Sequence, residues 1–90
     1  MAQAIVDPED LRHFAQSLKK FSTDVQERVK SLSGQLAALE RTWRDQEQKK
    51  FSEEFATQIQ SLARFIEIID RHVPYLARKA EIIEEYLQQR

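Results

Sequence analysis

The apolar residues of the chain fall into two long stretches with the spacing of amphipathic helices. Within each stretch they recur every three or four residues. The first stripe comprises Leu11, Phe14, Leu18, Phe21, Val25, Val29, Leu32, Leu36, Leu39 and Trp43. The second comprises Phe51, Phe55, Ile59, Leu62, Ile66, Ile69, Val73, Leu76, Ala80, Ile83 and Leu87. The pattern predicts one helix over about 8–42, a turn over about 43–46 and a second helix over about 47–88.

Polar residues indicate where each predicted helix begins. Asp7 supplies a capping carboxylate, and Pro8 occupies the first helical position, where its missing N–H costs nothing. Asp45 can cap the second helix, with Gln48 three residues later completing a capping box. Because the turn between the two helices is short, we expect an all-α fold, an antiparallel two-helix hairpin that forms a single domain over residues 1–90.

Pro74 lies within the second stripe, where it cannot donate a hydrogen bond to the carbonyl of Asp70. The apolar phase nevertheless continues from Ile69 through Val73 to Leu76. Since a break between two helices would normally reset this phase, the sequence predicts a kink near Pro74 within one helix.

The second helix carries another row beside its first stripe, formed by Phe65, Ile68, His72, Tyr75, Lys79, Ile82 and Tyr86. One partner helix covers only one stripe, so another surface must cover this row. The matching flank of the first helix is small and polar, which would allow close approach by another helix: Ala15, Ser22, Ser33, Gly34 and Ala37. We therefore predict that two hairpins dimerise into a four-helix bundle. The predicted dimer interface comprises Phe65, Ile68, His72, Tyr75, Ile82 and Tyr86.

Composition narrows the classes of function. The 90 residues include one glycine, two prolines and no cysteine, and 15 acidic against 14 basic residues leave a net charge of −1. Disulfides and thiolate sites are excluded, and neither nucleic-acid binding nor membrane contact is expected. No apolar run approaches the ~18 residues of a membrane span, and the N-terminus has no signal-peptide core.

The candidate chemical groups do not form a catalytic or metal-binding pattern. His13 and His72 are far apart and lack partners at metal-ligand spacing. The neighbouring acids Glu53 and Glu54 point in different directions on a helix, as a solvated face does. We therefore expect no enzyme activity, no metal and no cofactor.

Trp43 is the only tryptophan, and it lies just before the predicted turn. It could be a buried plug that locks the hairpin, or it could stand in an exposed groove as a recognition element. Taken alone, its place at the end of the first stripe favours the plug.

The arrangement resembles the WXG-100 superfamily of early-secreted-antigen-like proteins, which type VII secretion systems export. Their signature is Trp-x-Gly at the turn, followed by an aromatic residue eight positions after the tryptophan. This chain has Trp43-Arg44-Asp45 and then Phe51, so Asp45 stands in place of the glycine. The resemblance identifies Trp43, Asp45 and Phe51 as the turn motif. It implies pairing with a second copy or a paralogous hairpin, and contact with a secretion ATPase.

The resemblance also implies a non-enzymatic secreted protein or adaptor, exported without a cleavable signal peptide and cytoplasmic before export. The family's export signal, Tyr-x-x-x-Asp/Glu, does not occur at Tyr75 or Tyr86. Four residues after these tyrosines the chain has Lys79 and Arg90 instead of an acid. In this family one partner of a dimer can carry the signal for both. The alternative is an intracellular coiled-coil scaffold or chaperone subunit that binds a partner helix.

Overall fold

Two antiparallel α-helices make up the hairpin in a computed structural model that describes residues 6–89. Helix α1 spans Pro8–Leu39 and helix α2 spans Gln46–Gln88. Together they form a rod with extents of 68 × 24 × 15 Å. The predicted all-α hairpin is confirmed, while its pairing into a four-helix bundle stays a prediction.

Both helices begin at the carboxylates expected to cap them. The Oδ1 atom of Asp7 accepts a 2.8 Å hydrogen bond from the Glu9 N–H, and Oδ1 of Asp45 accepts a 2.9 Å bond from the Gln48 N–H. The Gln48 side chain donates instead to Glu40 across the turn, at 2.9 Å. Only half of the predicted capping box therefore forms, and the other half joins α2 to the end of α1.

Helix α1 ends at Leu39, three residues earlier than the sequence predicts. The Leu39 carbonyl accepts hydrogen bonds from the Thr42 and Trp43 N–H groups, at 3.1 and 2.9 Å. The Thr42 hydroxyl donates to the same carbonyl at 3.3 Å. These bonds close the end of the helix into a tight turn, so residues 40–42 belong to the connection.

Helix α2 runs without interruption through Pro74. The unbroken apolar phase across this position is consistent with one helix. The kink itself stays a prediction.

The surface of α1 that faces α2 differs from the predicted stripe. Ala15 and Ser22 are buried, whereas Phe14 and Phe21 are 56% and 46% exposed. Small side chains at the contact allow two helix axes to approach closely. The expectation that Phe14 and Phe21 face α2, and that Ala15 and Ser22 await another helix, is therefore wrong. On α2 the buried residues are Ile66, Ile69 and Ala80.

Polar contacts between the helices set their register along the whole hairpin. They join Arg12 to Glu84 near the chain ends, Ser22 to Asp70 in the middle and Ser52 to Glu40 near the turn. Because each contact requires a particular pair of residues to lie at the same level, a shift by one helical turn would break all three.

The middle contact is the most buried of the three. The Ser22 hydroxyl, 2% exposed, donates to Asp70 at 2.7 Å and accepts from Gln26 Nε2 at 3.0 Å. Near the chain ends, Arg12 donates to Glu84 at 2.7 Å, and this hydrogen bond raises the pKa of the guanidinium. Asp70 lies one turn before Pro74, so the contact joins α1 to the proline-containing part of α2.

Candidate functional site

A row of large apolar side chains on α1 does not face α2. At 100° per residue its four members lie within about 20° of one another around the helix. They lie about 100° from the line of buried residues through Ala15 and Ser22. All are about half exposed: Phe14, Phe21, Leu32 and Leu39.

A second row follows α2, rotated about 120° from the buried line of that helix. Its large exposed members are Phe65, Ile68, Tyr75, Ile82 and Tyr86. When each helix is viewed from its own N-terminus, the exposed row is rotated in the same direction from the buried residues. Because the helices run antiparallel, both rows lie on the same side of the hairpin. We name the two rows together the apolar face.

The register brings members of the two rows to similar levels. With Arg12 joined to Glu84 and Ser22 joined to Asp70, Phe14 lies near the level of Ile82 and Phe21 near that of Tyr75. The exposed groups therefore extend along one side of the rod instead of being scattered singly. Contiguous apolar surface of this kind marks an interaction site.

All six residues predicted as a dimer interface are exposed: Phe65, Ile68, His72, Tyr75, Ile82 and Tyr86. Their role in dimerisation stays a prediction. The sequence interpretation missed the contribution of α1, because large residues are expected to face the nearest helix. The seven-residue spacing of Phe14 and Phe21, each followed by a small residue, is the signal that could have identified it.

His72 lies in the apolar face and is held by its own helix. Its Nδ1 atom lies 2.8 Å from the Ile68 carbonyl, and since a carbonyl only accepts, Nδ1 carries the proton. The ring meets Tyr75 edge-on, with centroids 6.5 Å apart. Within residues 6–89 no group of three or more His, Asp or Glu side chains could hold a metal ion. In the same range, no helix has the length and apolar character needed to cross a membrane.

The opposite side of the hairpin carries a groove of about 750 Å³ between the two helices. Its apolar residues are Val25, Val29, Ile59, Leu62, Ala63 and Ile66. Its polar residues are Thr23, Gln26, Glu27, Lys30, Ser33, Glu67 and Asp70. With charged groups of both signs, this groove is more polar than the apolar face, so the apolar face is the stronger candidate for a large protein interface.

The turn carries a cluster of three aromatic rings. The centroids of Trp43 and Phe51 lie 6.2 Å apart, and Phe51 stacks on Phe55 at 5.8 Å. Asp45 lies between these residues in sequence and caps α2. The structure thus brings Trp43 and Phe51 together across the turn. Trp43 is only partly buried, so it is not a fully enclosed plug, and part of its surface stays open to solvent.

Trp43→Ala is expected to destabilise the hairpin by about 1–2 kcal/mol, because the ring loses partial burial and one aromatic contact. A fully enclosed tryptophan would instead cost about 3–5 kcal/mol. Urea denaturation followed by circular dichroism measures the difference, and Trp43→Phe is the matched control that keeps an aromatic ring. A loss within error of zero would mean that the contact with Phe51 does not stabilise the turn.

Comparison with known protein families identifies one match over nearly the whole chain. The model of the family WXG100, described as proteins of 100 residues with WXG, matches residues 3–86. No curated protein sequence matches the chain significantly.

Solved structures of a secreted protein, EsxB of Bacillus anthracis str. Sterne, are similar to the hairpin. One variant is 28% identical with a TM-score of 0.76, over 93% of this chain and 97% of that one. The wild-type form is 30% identical with a TM-score of 0.73, over 90% and 93% of the two chains. The likeness therefore extends over nearly the full length of both proteins.

Proposed function

Since this chain belongs to the WXG100 family, we propose that it is a small secreted protein or adaptor of a type VII-like secretion system. WXG100 proteins form dimers with themselves or with paralogues. In this proposal the chain is one half of a four-helix bundle and has no enzyme activity. The similarity to EsxB, a secreted protein, supports the assignment to secretion.

The apolar face is the observation that carries the proposal. Phe14 and Phe21 on one helix and Tyr75 and Ile82 on the other leave about half of each side chain in water. Burying such groups gains about 25 cal/mol for each Å² of apolar surface. A second hairpin packed on this face would bury apolar side chains that a single hairpin leaves exposed, and would so enlarge its small core. The proposed interface includes Phe65, Ile68, His72, Tyr75, Ile82 and Tyr86.

The turn has a separate proposed role. Trp43 and Phe51 form a partly exposed aromatic pair at one end of the rod, and Asp45 fixes the start of the helix beside them. Aromatic groups with one exposed side are typical anchors for a protein partner. We infer that the turn motif of Trp43, Asp45 and Phe51 is where the secretion machinery, including its ATPase, recognises the bundle.

Export can be tested in a host that carries a type VII system, with and without its membrane ATPase. The tagged chain is expected in the medium only when the ATPase is present, together with any hairpin partner encoded beside it. A Phe51→Ala variant is expected to lower the exported fraction about tenfold, the effect of losing about 1.4 kcal/mol of recognition.

Glu54→Ala, near the turn but outside the motif, is the control for export. A cytosolic marker in the medium reports cell lysis, and circular dichroism confirms that each variant folds. Retention of the wild-type chain in the cytoplasm with the ATPase and partner present would contradict export. That outcome favours the intracellular scaffold or chaperone.

A further inference from the structure

Three arginines lie along the apolar row of α2 at seven-residue spacing. The arginines alternate with apolar residues, and each residue of the series is four or three positions after the one before it. The series is Arg64, Ile68, Arg71, Tyr75, Arg78 and Ile82. On a helix this spacing places all six on one side. We name Arg64, Arg71 and Arg78 the arginine stripe.

The arginine stripe is exposed, and its three guanidinium groups are not held in ion pairs by the described part of the hairpin. Ion pairs within residues 6–89 join Arg12 to Glu9 and Glu84, and Lys20 to Asp24, but none involves the stripe. Arg71 lines a shallow depression on the apolar face with Ile68, His72 and Tyr75. A hairpin that covers this face therefore approaches the three guanidinium groups as well.

A second copy packed with α2 against α2 brings the stripe against itself. In an antiparallel arrangement centred on the stripe, Arg71 meets Arg71 and Arg64 meets Arg78. A shift by one heptad step places Arg64 against Arg71. Like charges brought together at an interface oppose association, because each loses water without gaining a partner.

A second copy packed with its α1 against α2 also offers the arginine stripe few opposite charges. With the turns of both hairpins at the same end, the register places Arg78, Arg71 and Arg64 opposite the α1 positions 17, 24 and 31. Those positions hold Ser17, Asp24 and Ser31. Asp24 is the only acid among them, and it already lies 3.3 Å from the ammonium group of Lys20.

We propose that the partner on the apolar face is a different helical hairpin, whose facing helix carries Asp or Glu at seven-residue spacing. The inference rests on the proposed function, since it requires a hairpin to cover this face. Carboxylates at that spacing would pair with Arg64, Arg71 and Arg78, and the apolar residues between the arginines would pack in the same interface.

Two acidified forms of this chain are suitable probes. The first carries Arg64→Glu, Arg71→Glu and Arg78→Glu, which places acids on α2. The second carries Ser17→Glu and Ser31→Glu, which completes an acidic row on α1 with Asp24. Each probe is mixed with the wild-type chain, and the dissociation constant is measured by sedimentation and compared with wild-type self-association. Circular dichroism of the same samples reports any folding on mixing.

At least one probe is expected to bind the wild-type chain about tenfold or more tightly than a second wild-type copy does. The preference should shrink when the salt concentration is raised from about 0.05 to about 0.5 M, because salt screens the added ion pairs. The probe that binds more tightly identifies the helix that faces the stripe.

The control carries Lys19→Glu, Lys30→Glu and Lys49→Glu, which make the same change in charge as the first probe but away from the apolar face. It is expected to give no gain over wild-type self-association. A wild-type homodimer at least as tight as both mixtures would overturn the acidic partner and leave the proposed dimer intact. Wild-type and probe chains that fold and stay monomeric in every mixture would overturn the interface on this face as well.

Discussion

Phe21→Glu is expected to weaken pairing of the hairpin by about 100-fold or more, equivalent to about 2.7 kcal/mol. Phe21 lies in the middle of the apolar face, near the level of Tyr75. A second hairpin on this face would bury the new carboxylate among apolar side chains, where an unpaired charge is costly. The change is measured as the dissociation constant, by sedimentation of the variant mixed with a hairpin partner. That partner is whichever chain, wild-type or acidified probe, binds the wild-type chain most tightly.

Gln16→Glu is the matched control, because it adds the same charge at an exposed position of α1 away from the apolar face. Its dissociation constant is expected to stay within about twofold of the wild-type value, as is usual for surface changes. The helix content of Phe21→Glu should also be retained, since Ser22 and not Phe21 is buried at this level. An unchanged dissociation constant for Phe21→Glu would contradict the assignment of this face as the interface.

Ile69→Ala is expected to lower the free energy of unfolding by about 3 kcal/mol, within the range for removing a buried isoleucine side chain. Ile69 is 6% exposed and belongs to a small core whose other buried residues are Ala15, Ser22, Ile66 and Ala80. Removing these side-chain carbons leaves a cavity. Because the molecule is only two helices thick, few neighbouring side chains can move to fill it. Urea denaturation at a concentration below that of dimerisation measures the loss for the single hairpin.

Ile82→Ala makes the same chemical change in the apolar face, where Ile82 is 54% exposed. For the single hairpin we expect it to cost less than about 1 kcal/mol, because less surface is returned to water. Above the dimerisation concentration its cost should rise towards that of Ile69→Ala. Equal costs for the two variants in the single hairpin would mean that the assignment of core and face is wrong.

The start of each helix was predictable because capping depends on a few neighbouring residues. Asp7 and Asp45 cap the helices through their own side chains, whatever lies elsewhere in the chain. The end of α1 was harder to place, since the bonds from Thr42 and Trp43 to Leu39 leave the apolar spacing unchanged. Apolar periodicity therefore extended the predicted helix three residues too far.

The rotation of α1 about its axis was not predictable from the size of its apolar residues. Phe14 and Phe21 lie on a broad apolar surface, and either side of it could face α2. The choice depends on the close approach that Ala15 permits and on the hydrogen bond between Ser22 and Asp70, which are 48 residues apart in sequence. Such a contact becomes visible only once the register of the hairpin is known.

The arginine stripe shows the same limit at the candidate site. In a sequence, exposed arginines on a helix suggest only ordinary solvated charges. Their significance depends on where the apolar face lies, because Arg71 borders a depression shared with Ile68 and Tyr75. Once the structure shows that the arginines border the apolar face, their charge can be used to test which partner binds there.

The thinness of the rod has a consequence for transport. A single hairpin measures 24 Å by 15 Å across, and stacking another on the apolar face adds one helix layer of about 10 Å. The pair is then about as thick as one hairpin is wide, so its end-on profile is nearly square. Under the proposed export, such a pair would carry twice the mass of a single hairpin lengthwise through an opening without enlarging the widest dimension that the opening must admit.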